Sequence, residues 1–297
     1  MNTDLKAEET VKTIEVRKLT GGRFTQGRAR VVIERELPIY VNGQHLVTAS
    51  LSPVVVKEFV TGYLFGQGFI DSISDIESIS LENDTANVSL GGGKKLARRK
   101  DNASLRIVSG GGKAVYFEKA VLPEIKSDVT ISKEAIFRAM NTLFEKAEIY
   151  RDTEGGHTTG LYKADGTPVI IAEDIGRHNT LDKVIGYALI SRTDVSNAFL
   201  AATGRMTSEM VAKICRAKIP VAATKTAVTS TAIKIAGRSG LTLIGFVRDA
   251  GNRINTDMEV RVIEKAGMKI YTHPGRITEN KPGHLTNTGA INGEKRE

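Results

Sequence analysis

The chain has 297 residues and carries 42 Lys plus Arg against 34 Asp plus Glu, a formal charge of +8. An apolar share of 40% and a charged share of 26% describe a globular chain with enough material for one large core or two modest ones, and exclude wholesale disorder. The single cysteine, Cys215, excludes an internal disulfide and any multi-cysteine metal site, and no apolar run approaches the length of a membrane span.

Residues 1–12 and 280–297 lack apolar periodicity and are expected to be disordered or loosely held. Met1 to Thr10 carries no apolar stretch of the kind a secretory signal needs, so the expected address is cytoplasmic. Residues 13–125 read as a smaller α+β domain and residues 126–279 as an α/β domain. Extended segments are expected at Ala29 to Glu34 and Leu37 to Val41. Asn42-Gly43 then joins a third in a hairpin, because both residues tolerate positive φ. Ser52 is an N-cap candidate with Pro53 at the first helical position, followed by Val55, Val56, Phe59, Val60, Tyr63 and Leu64 at helical spacing and stopped by Gly66 and Gly68. Strands follow at Ile76 to Ser80 and Ala86 to Leu90, then a helix at Lys133 to Glu148. From there short apolar runs at Val169 to Ala172, Ala198 to Ala202, Val221 to Ala223 and Leu241 to Val247 alternate with helical periodicity at Thr180 to Ile190, Thr207 to Ala217 and Thr229 to Arg238. Strand followed by helix, repeated, predicts an open sheet with parallel pairs and a ligand crevice at the carboxyl ends of its strands.

Two of those strand ends have the same form. Glu173-Asp-Ile-Gly176-Arg177-His178-Asn179 and Thr203-Gly204-Arg205-Met-Thr-Ser208 each place Gly-Arg between a strand and an amphipathic helix. Glycine permits the sharp turn, the helix-start N–H groups face outward, and arginine adds a bidentate cation, so such a turn suits an anion. Lys225 and Thr226 follow the next strand and Arg248 the one after. Asn179 is the expected cap of the first helix, with Asp182 favouring its N-terminus. His157, Asp174 and His178 crowd the same strand end with titratable groups that can position protons. Met210, Val211, Ile214 and Cys215 form one helical face, which predicts a buried, unreactive thiol. The glycine triplets at Gly91 to Gly93 and Gly110 to Gly112 lack Walker spacing and read as hairpin tips. The basic stretch Lys94 to Lys100 has no aromatic residue for stacking on bases; it reads as a solvated loop, with nucleic-acid binding as the alternative.

The ordered motifs Glu34 to Gly43, Glu58 to Gly66, Glu173 to Gly186, Thr203 to Val211, Ile219 to Thr224, Gly240 to Phe246 and Tyr271 to Ile277 resemble FdhD, the formate dehydrogenase accessory sulfurtransferases. The resemblance covers roughly residues 28 to 277. It implies a cytoplasmic homodimer whose cytidine-deaminase-like α/β/α domain stands beside a smaller α+β N-terminal domain. It further implies binding of Mo-bis(molybdopterin guanine dinucleotide), or a tungsten or related guanine nucleotide form. The implied partners are formate dehydrogenase and a cysteine desulfurase that supplies sulfur. By that resemblance Phe246, Val247, Arg248, Asp249, Ala250 and Gly251 belong to the cofactor site, beside the Gly176, Arg177, Gly204 and Arg205 turns, with His157, Asp174 and His178 shaping it. The family's Cys-x-x-Cys loop falls at Ser109, Gly110, Gly111 and Gly112, where no thiol can carry a persulfide. Extra length between Phe246 and Tyr271 predicts an added strand pair within residues 254–268, over the crevice.

Overall fold

The computed structural model describes residues 10–92, 106–107, 113–114, 122–249, 253–255, 260–262 and 265–279. It opens on an antiparallel arm, β1 (Val11–Thr20) and β2 (Arg23–Val32). Its turn is Gly21-Gly22, both at positive φ. Strands β3 (Arg35–Val41) and β4 (Gln44–Leu51) form the predicted hairpin, with Asn42 at φ 49° and Gly43 at φ 77°. Helix α1 (Val56–Gly66) follows, then β5 (Ile76–Glu82) and β6 (Thr85–Leu90). These strands make a four-stranded sheet in the order β4-β3-β6-β5, parallel only between β3 and β6. Two short pieces, β7 (Arg106–Ile107) and β8 (Lys113–Ala114), pair with each other.

The second half begins at β9 (Ile131–Ser132), where the Ser132 hydroxyl caps α2 (Lys133–Glu145) by accepting from the Ala135 N–H. Then come α3 (Glu148–Thr153), β10 (His157–Lys163), β11 (Pro168–Asp174), α4 (Arg177–Ile190), β12 (Ala198–Ala202), α5 (Ser208–Arg216), β13 (Val221–Thr224), α6 (Ser230–Ser239) and β14 (Thr242–Arg248). Strands β15 (Arg253–Asn255) and β16 (Val260–Val262) pair antiparallel, as the extra length predicted, before β17 (Gly267–Ile270) and β18 (Ile277–Thr278). The main sheet runs β11-β10-β12-β13-β14-β17. Its centre, β12-β13-β14, is parallel and its flanks are antiparallel.

Alternation across this sheet creates three layers. Leu200, Ala222 and Leu243 point toward α4, α5 and α6, into a core that also takes in α1 and the four-stranded sheet. Phe199, Ala201, Val221, Ala223 and Ile244 point to the other face, against Ile136, Met140 and Leu143 of α2. The chain is thus mixed α/β, as expected. The junction between its halves is a helix crossing without side chains: a Cβ on Gly62 of α1 would overlap the Asp182 carbonyl, and one on Gly186 of α4 would overlap that of Glu58. Neither helix can withdraw, because both are packed into the shared core. Gly62→Ala should therefore destabilise the protein by about 3 kcal/mol or more, measured by urea unfolding.

Candidate functional site

Asp174, the last residue of β11, is wholly buried, and four donors converge on its carboxylate. They are Lys183 Nζ at 2.6 Å, Asn179 Nδ2 at 2.8 Å, Gly176 N at 3.0 Å and Ser52 N at 3.1 Å. Its lone pairs are therefore taken, and Asp174 holds the site from behind rather than facing a ligand. Lys183, fully buried on α4, also donates to the carbonyls of Ser52 and Glu173, each at 3.1 Å. This use of Ser52 displaces the predicted cap: α1 begins at Val56 behind a left-handed Val55, four residues past Ser52. Asn179 is likewise no cap. Gly176 holds that position, and Asn179, one turn in, bonds Asp174 and the Ser50 carbonyl. Glu173 turns to the α3 start, accepting from the N–H groups of Ile149 and Tyr150.

A second buried pair adjoins the first on α4, where Asp182, the residue before Lys183, meets Lys213 of α5 at 2.7 Å. Burial pushes Asp182 up to about 6 against the pull of Lys213. Asp182 was expected to serve the α4 N-terminus; it is used instead to lock α4 to α5. Cys215 sits on the buried face of α5, and burial pushes its thiol up to about 12. Thiolate chemistry at neutral pH is closed to it.

The successive loops at the sheet's edge are stitched to one another. The Thr224 hydroxyl donates to the Gly204 carbonyl at 2.6 Å, Met206 and Val228 form a parallel bridge, and Phe246 N donates to the Thr226 carbonyl at 3.0 Å. The Gly204 turn rests on Arg177: an added Cβ there would sit 2.8 Å from the Arg177 Cβ. A resemblance within the chain accompanies this stitching. Ala201-Ala-Thr203…Met206-Thr-Ser208 recurs as Ala222-Ala-Thr224…Val228-Thr-Ser230, and sequence reading had paired the Gly204 turn with the Gly176 turn instead.

On this lattice stands a row of cations, one per strand end. Burial, then the neighbouring Arg205 guanidinium, lower Arg177; burial, then Arg248, lower Lys225. Among the described residues no carboxylate pairs with Arg205, Lys225 or Arg248. Lys225 lies 4.1 Å over the Phe144 ring, while Arg248 and Lys269 flank the Phe246 ring at 5.7 and 5.0 Å. Phe246, at φ 55°, forms a bulge that breaks the alternation of β14. The same bulge turns the Val247 side chain into the α2-facing core, leaving its backbone at the edge. Asp249 accepts from Asn141 Nδ2 at 2.7 Å.

His157 opens β10, and its register beside Asp174 brings it to this edge. Burial, then Arg177, lowers it. His178 is driven further, to about 3, by burial, then Lys213, Arg177 and His157. Neutral His178 lies 3.6 Å from Glu209, a carboxylate that sequence reading missed. Both His178 ring nitrogens, Glu209 Oε2, Thr158 Oγ1 and Thr207 Oγ1 are buried without a hydrogen-bond partner among the described residues. Buried polar atoms in that state call for an outside partner, and they cluster where the two Gly-Arg turns meet. Ser109, Gly110, Gly111, Gly112, Ala250, Gly251 and the Lys94 to Lys100 stretch lie outside the described residues. Among the described residues no group of His, Cys, Asp and Glu could hold a metal ion, and no helix is long and apolar enough to cross a membrane.

The sequence model of the FdhD/NarQ family matches residues 32–278. Among similar proteins, one from Methanothermobacter thermautotrophicus called sulfur carrier protein FdhD is 32% identical over 248 residues, 84% of this chain and 91% of its own. A protein of the same name from Saccharolobus solfataricus is 36% identical over 225 residues, 74% of this chain and 79% of its own. In fold the chain is similar to a crystal structure described as a formate dehydrogenase accessory protein from Desulfotalea psychrophila. The TM-score is 0.73 at 24% identity, covering 91% of this chain and all of that one.

The histidines give a pH prediction. The folded value of His178 is lowered from 6.5 to about 3, so between those values the unfolded chain binds a proton that the folded one does not. Its contribution to stability is complete above pH 6.5 and is lost as pH falls toward 3. Asp182, raised from 3.8 to about 6, opposes this loss over its own window. In an NMR titration the His178 ring resonances should stay at their neutral positions from pH 8 down to about 5.

Proposed function

The chain belongs to the FdhD/NarQ family, and on that premise we propose that it serves formate dehydrogenase as a cytoplasmic, homodimeric accessory protein. Its ligand in this reading is Mo-bis(molybdopterin guanine dinucleotide), its tungsten counterpart or a related guanine nucleotide, bound for delivery. The observation that carries the reading is the row of cations on consecutive strand ends: among the described residues no carboxylate pairs with Arg205, Lys225 or Arg248, and buried polar atoms of His178, Glu209, Thr158 and Thr207 without a hydrogen-bond partner there lie where the two Gly-Arg turns meet.

A pyrophosphate fits that donor set. Arg177 and Arg205 supply guanidinium forks beside the N–H groups of the Gly176 turn, while Lys225 and Arg248 supply a second cationic cluster further along the edge. Two clusters suit a ligand with more than one phosphate. The histidines, neutral at working pH, serve as hydrogen-bond groups that fix orientation. The cofactor, when bound, would contribute the metal and its sulfur-ligand chemistry; this chain's residues bind it, orient it and exclude water.

Relatives are called sulfur carriers, but the corresponding loop here is Ser109 to Gly112, and the one thiol is buried with its ionisation pushed up to about 12. We therefore assign this chain cofactor binding without a sulfur relay of its own. Transfer through Cys215 would require α5 to open, and transfer through a partner's thiol would leave this chain as the scaffold.

Two measurements test this reading. In calorimetry with GDP, Arg205→Ala should weaken binding about tenfold or more, the loss of a charge-assisted hydrogen-bond pair. Unchanged binding would remove the assigned site. Mass spectrometry after incubation with a cysteine desulfurase and cysteine should show no persulfide on Cys215; a persulfide there would restore the relay.

A further inference from the structure

The arm of β1 and β2 has no role in the site, and it ends where the stretch matched to the family begins, at residue 32. Physically it is incomplete. Two strands alone are marginally stable in water, and a third strand or a covering element is needed. Its anchorage to the rest of the chain is at its base, through α3: Arg30 meets Asp152 at 2.7 Å and Val32 lies against Gly155. Toward the tip it stands exposed, with Leu19 at 61% and Phe24 at 62% accessible and Ile14 at 37%.

Strand β5 carries a matching feature. Strand β5 is an outer strand of the four-stranded sheet, so one side of its backbone has no neighbour in that sheet, and its Leu81 is 45% accessible. Among the described residues, four of the six exposed large apolar side chains therefore lie on these two elements. The charges match as well. The arm carries Lys12, Arg17, Lys18, Arg23, Arg28 and Arg30 against one acid, Glu15. Residues 71–92 carry Asp71, Asp75, Glu77, Glu82 and Asp84 and no Lys or Arg. Asp71 and Asp84 are engaged by Arg216 and Arg35, while Glu77 and Glu82, both on β5, have no ion-pair partner among the described residues. Natural edge strands are usually blunted by charge, often lysine; an acidic edge repels its own kind and admits a cationic strand.

We propose that the β1–β2 arm docks along the open edge of β5 in a second copy of this chain, each copy giving its arm and receiving its partner's. The exchange is isologous, so it closes as a two-fold dimer instead of propagating. Strand addition satisfies the bare backbone of the edge, Leu19 and Phe24 cover Leu81, and the arm's cations neutralise Glu77 and Glu82. The inference names the interface for the homodimer proposed above and rests on that reading.

Sedimentation of the full chain tests it. The wild type should be dimeric, more tightly at low salt than at 0.5 M. Glu77→Lys combined with Glu82→Lys should weaken self-association at least tenfold, and adding Arg23→Glu and Arg28→Glu should restore it, since the charges are then exchanged and not lost. Both sets lie on exposed positions, and circular dichroism checks that folding is retained; Phe24→Ser gives a second disruption that leaves every charge unchanged. A monomeric wild type would overturn the dimer and the interface together. A dimer unmoved by all these variants would overturn the interface alone. An arm that leaves the dimer unchanged yet holds a fluorescent DNA duplex in a salt-sensitive manner would mark it as a polyanion-binding ribbon and also overturn the proposal.

Discussion

The buried pair of Asp174 and Lys183 is the constraint on which the rest depends. Removing two charges from water costs several kcal/mol per ion, and the mutual attraction offsets it only when the remaining hydrogen-bond capacity is filled. Here it is filled completely, and the groups that fill it come from three separate places: the β4–α1 connection at Ser52, the end of β11, and the first two turns of α4. The pair thus fixes where the Gly176 turn sits relative to the four-stranded sheet. The Gly62–Gly186 crossing fixes the same two halves a few residues away, by shape instead of charge. Position at the candidate site is inherited from both, since Arg177 and His178 are the residues immediately after the turn that Asp174 holds.

From that anchor the edge is built by repetition. Each of β11, β12 and β13 leads through a polar turn into a helix, and each turn bonds or packs against the next, so a cation placed on one is held at a set distance from the cation on its neighbour. Holding like charges together is unfavourable in isolation, and it adds to burial, the larger cause, in lowering Arg177 and Lys225. Among the described residues no carboxylate pairs with Arg205, Lys225 or Arg248, and it is this imbalance that the proposed anionic ligand would offset. The Phe246 bulge extends the same logic to β14. By breaking strand alternation it sends Val247 inward and leaves Phe246 half-buried between Arg248 and Lys269, an apolar surface bordered by charge.

How much of this could be read from the residues differs by type of interaction. The parallel strands were legible because β12, β13 and β14 are short apolar runs bounded by turn residues, and Ala198 to Ala202 matches its strand to the residue. The Asn42-Gly43 hairpin was legible because its chemistry is local. Strand β1 was not read, since its apolar residues are interleaved with charges and neither face is fully buried; the Gly21-Gly22 pair was the signal available. Strand β10 was hidden by Thr-Thr-Gly, which looks like loop until its neighbours in the sheet are known. The buried charges were the hardest. Asp182 reads as an acid favouring the α4 N-terminus, and nothing in the spacing marks Lys183 as buried; only their partners on α5 and β11 show what they do. Glu209 was missed for the same reason, as an ordinary first-turn acid.

The cysteine count joins the sequence to the chemistry. A single thiol could still serve a relay if it were exposed and acidic, so composition alone leaves that route open. Its location closes it: Cys215 lies between the helix that bears Lys213 and the core shared by both halves, in surroundings that disfavour the thiolate by burial. Exposing it would mean lifting α5, which would break the Asp182–Lys213 pair and carry away Glu209 and the Gly204 turn that lies at the start of that helix. The proposed cofactor site and thiol exposure therefore make opposite demands on the same element. The site proposed here needs α5 in place, an exposed cysteine needs it lifted, and the buried ion pair favours the helix in place.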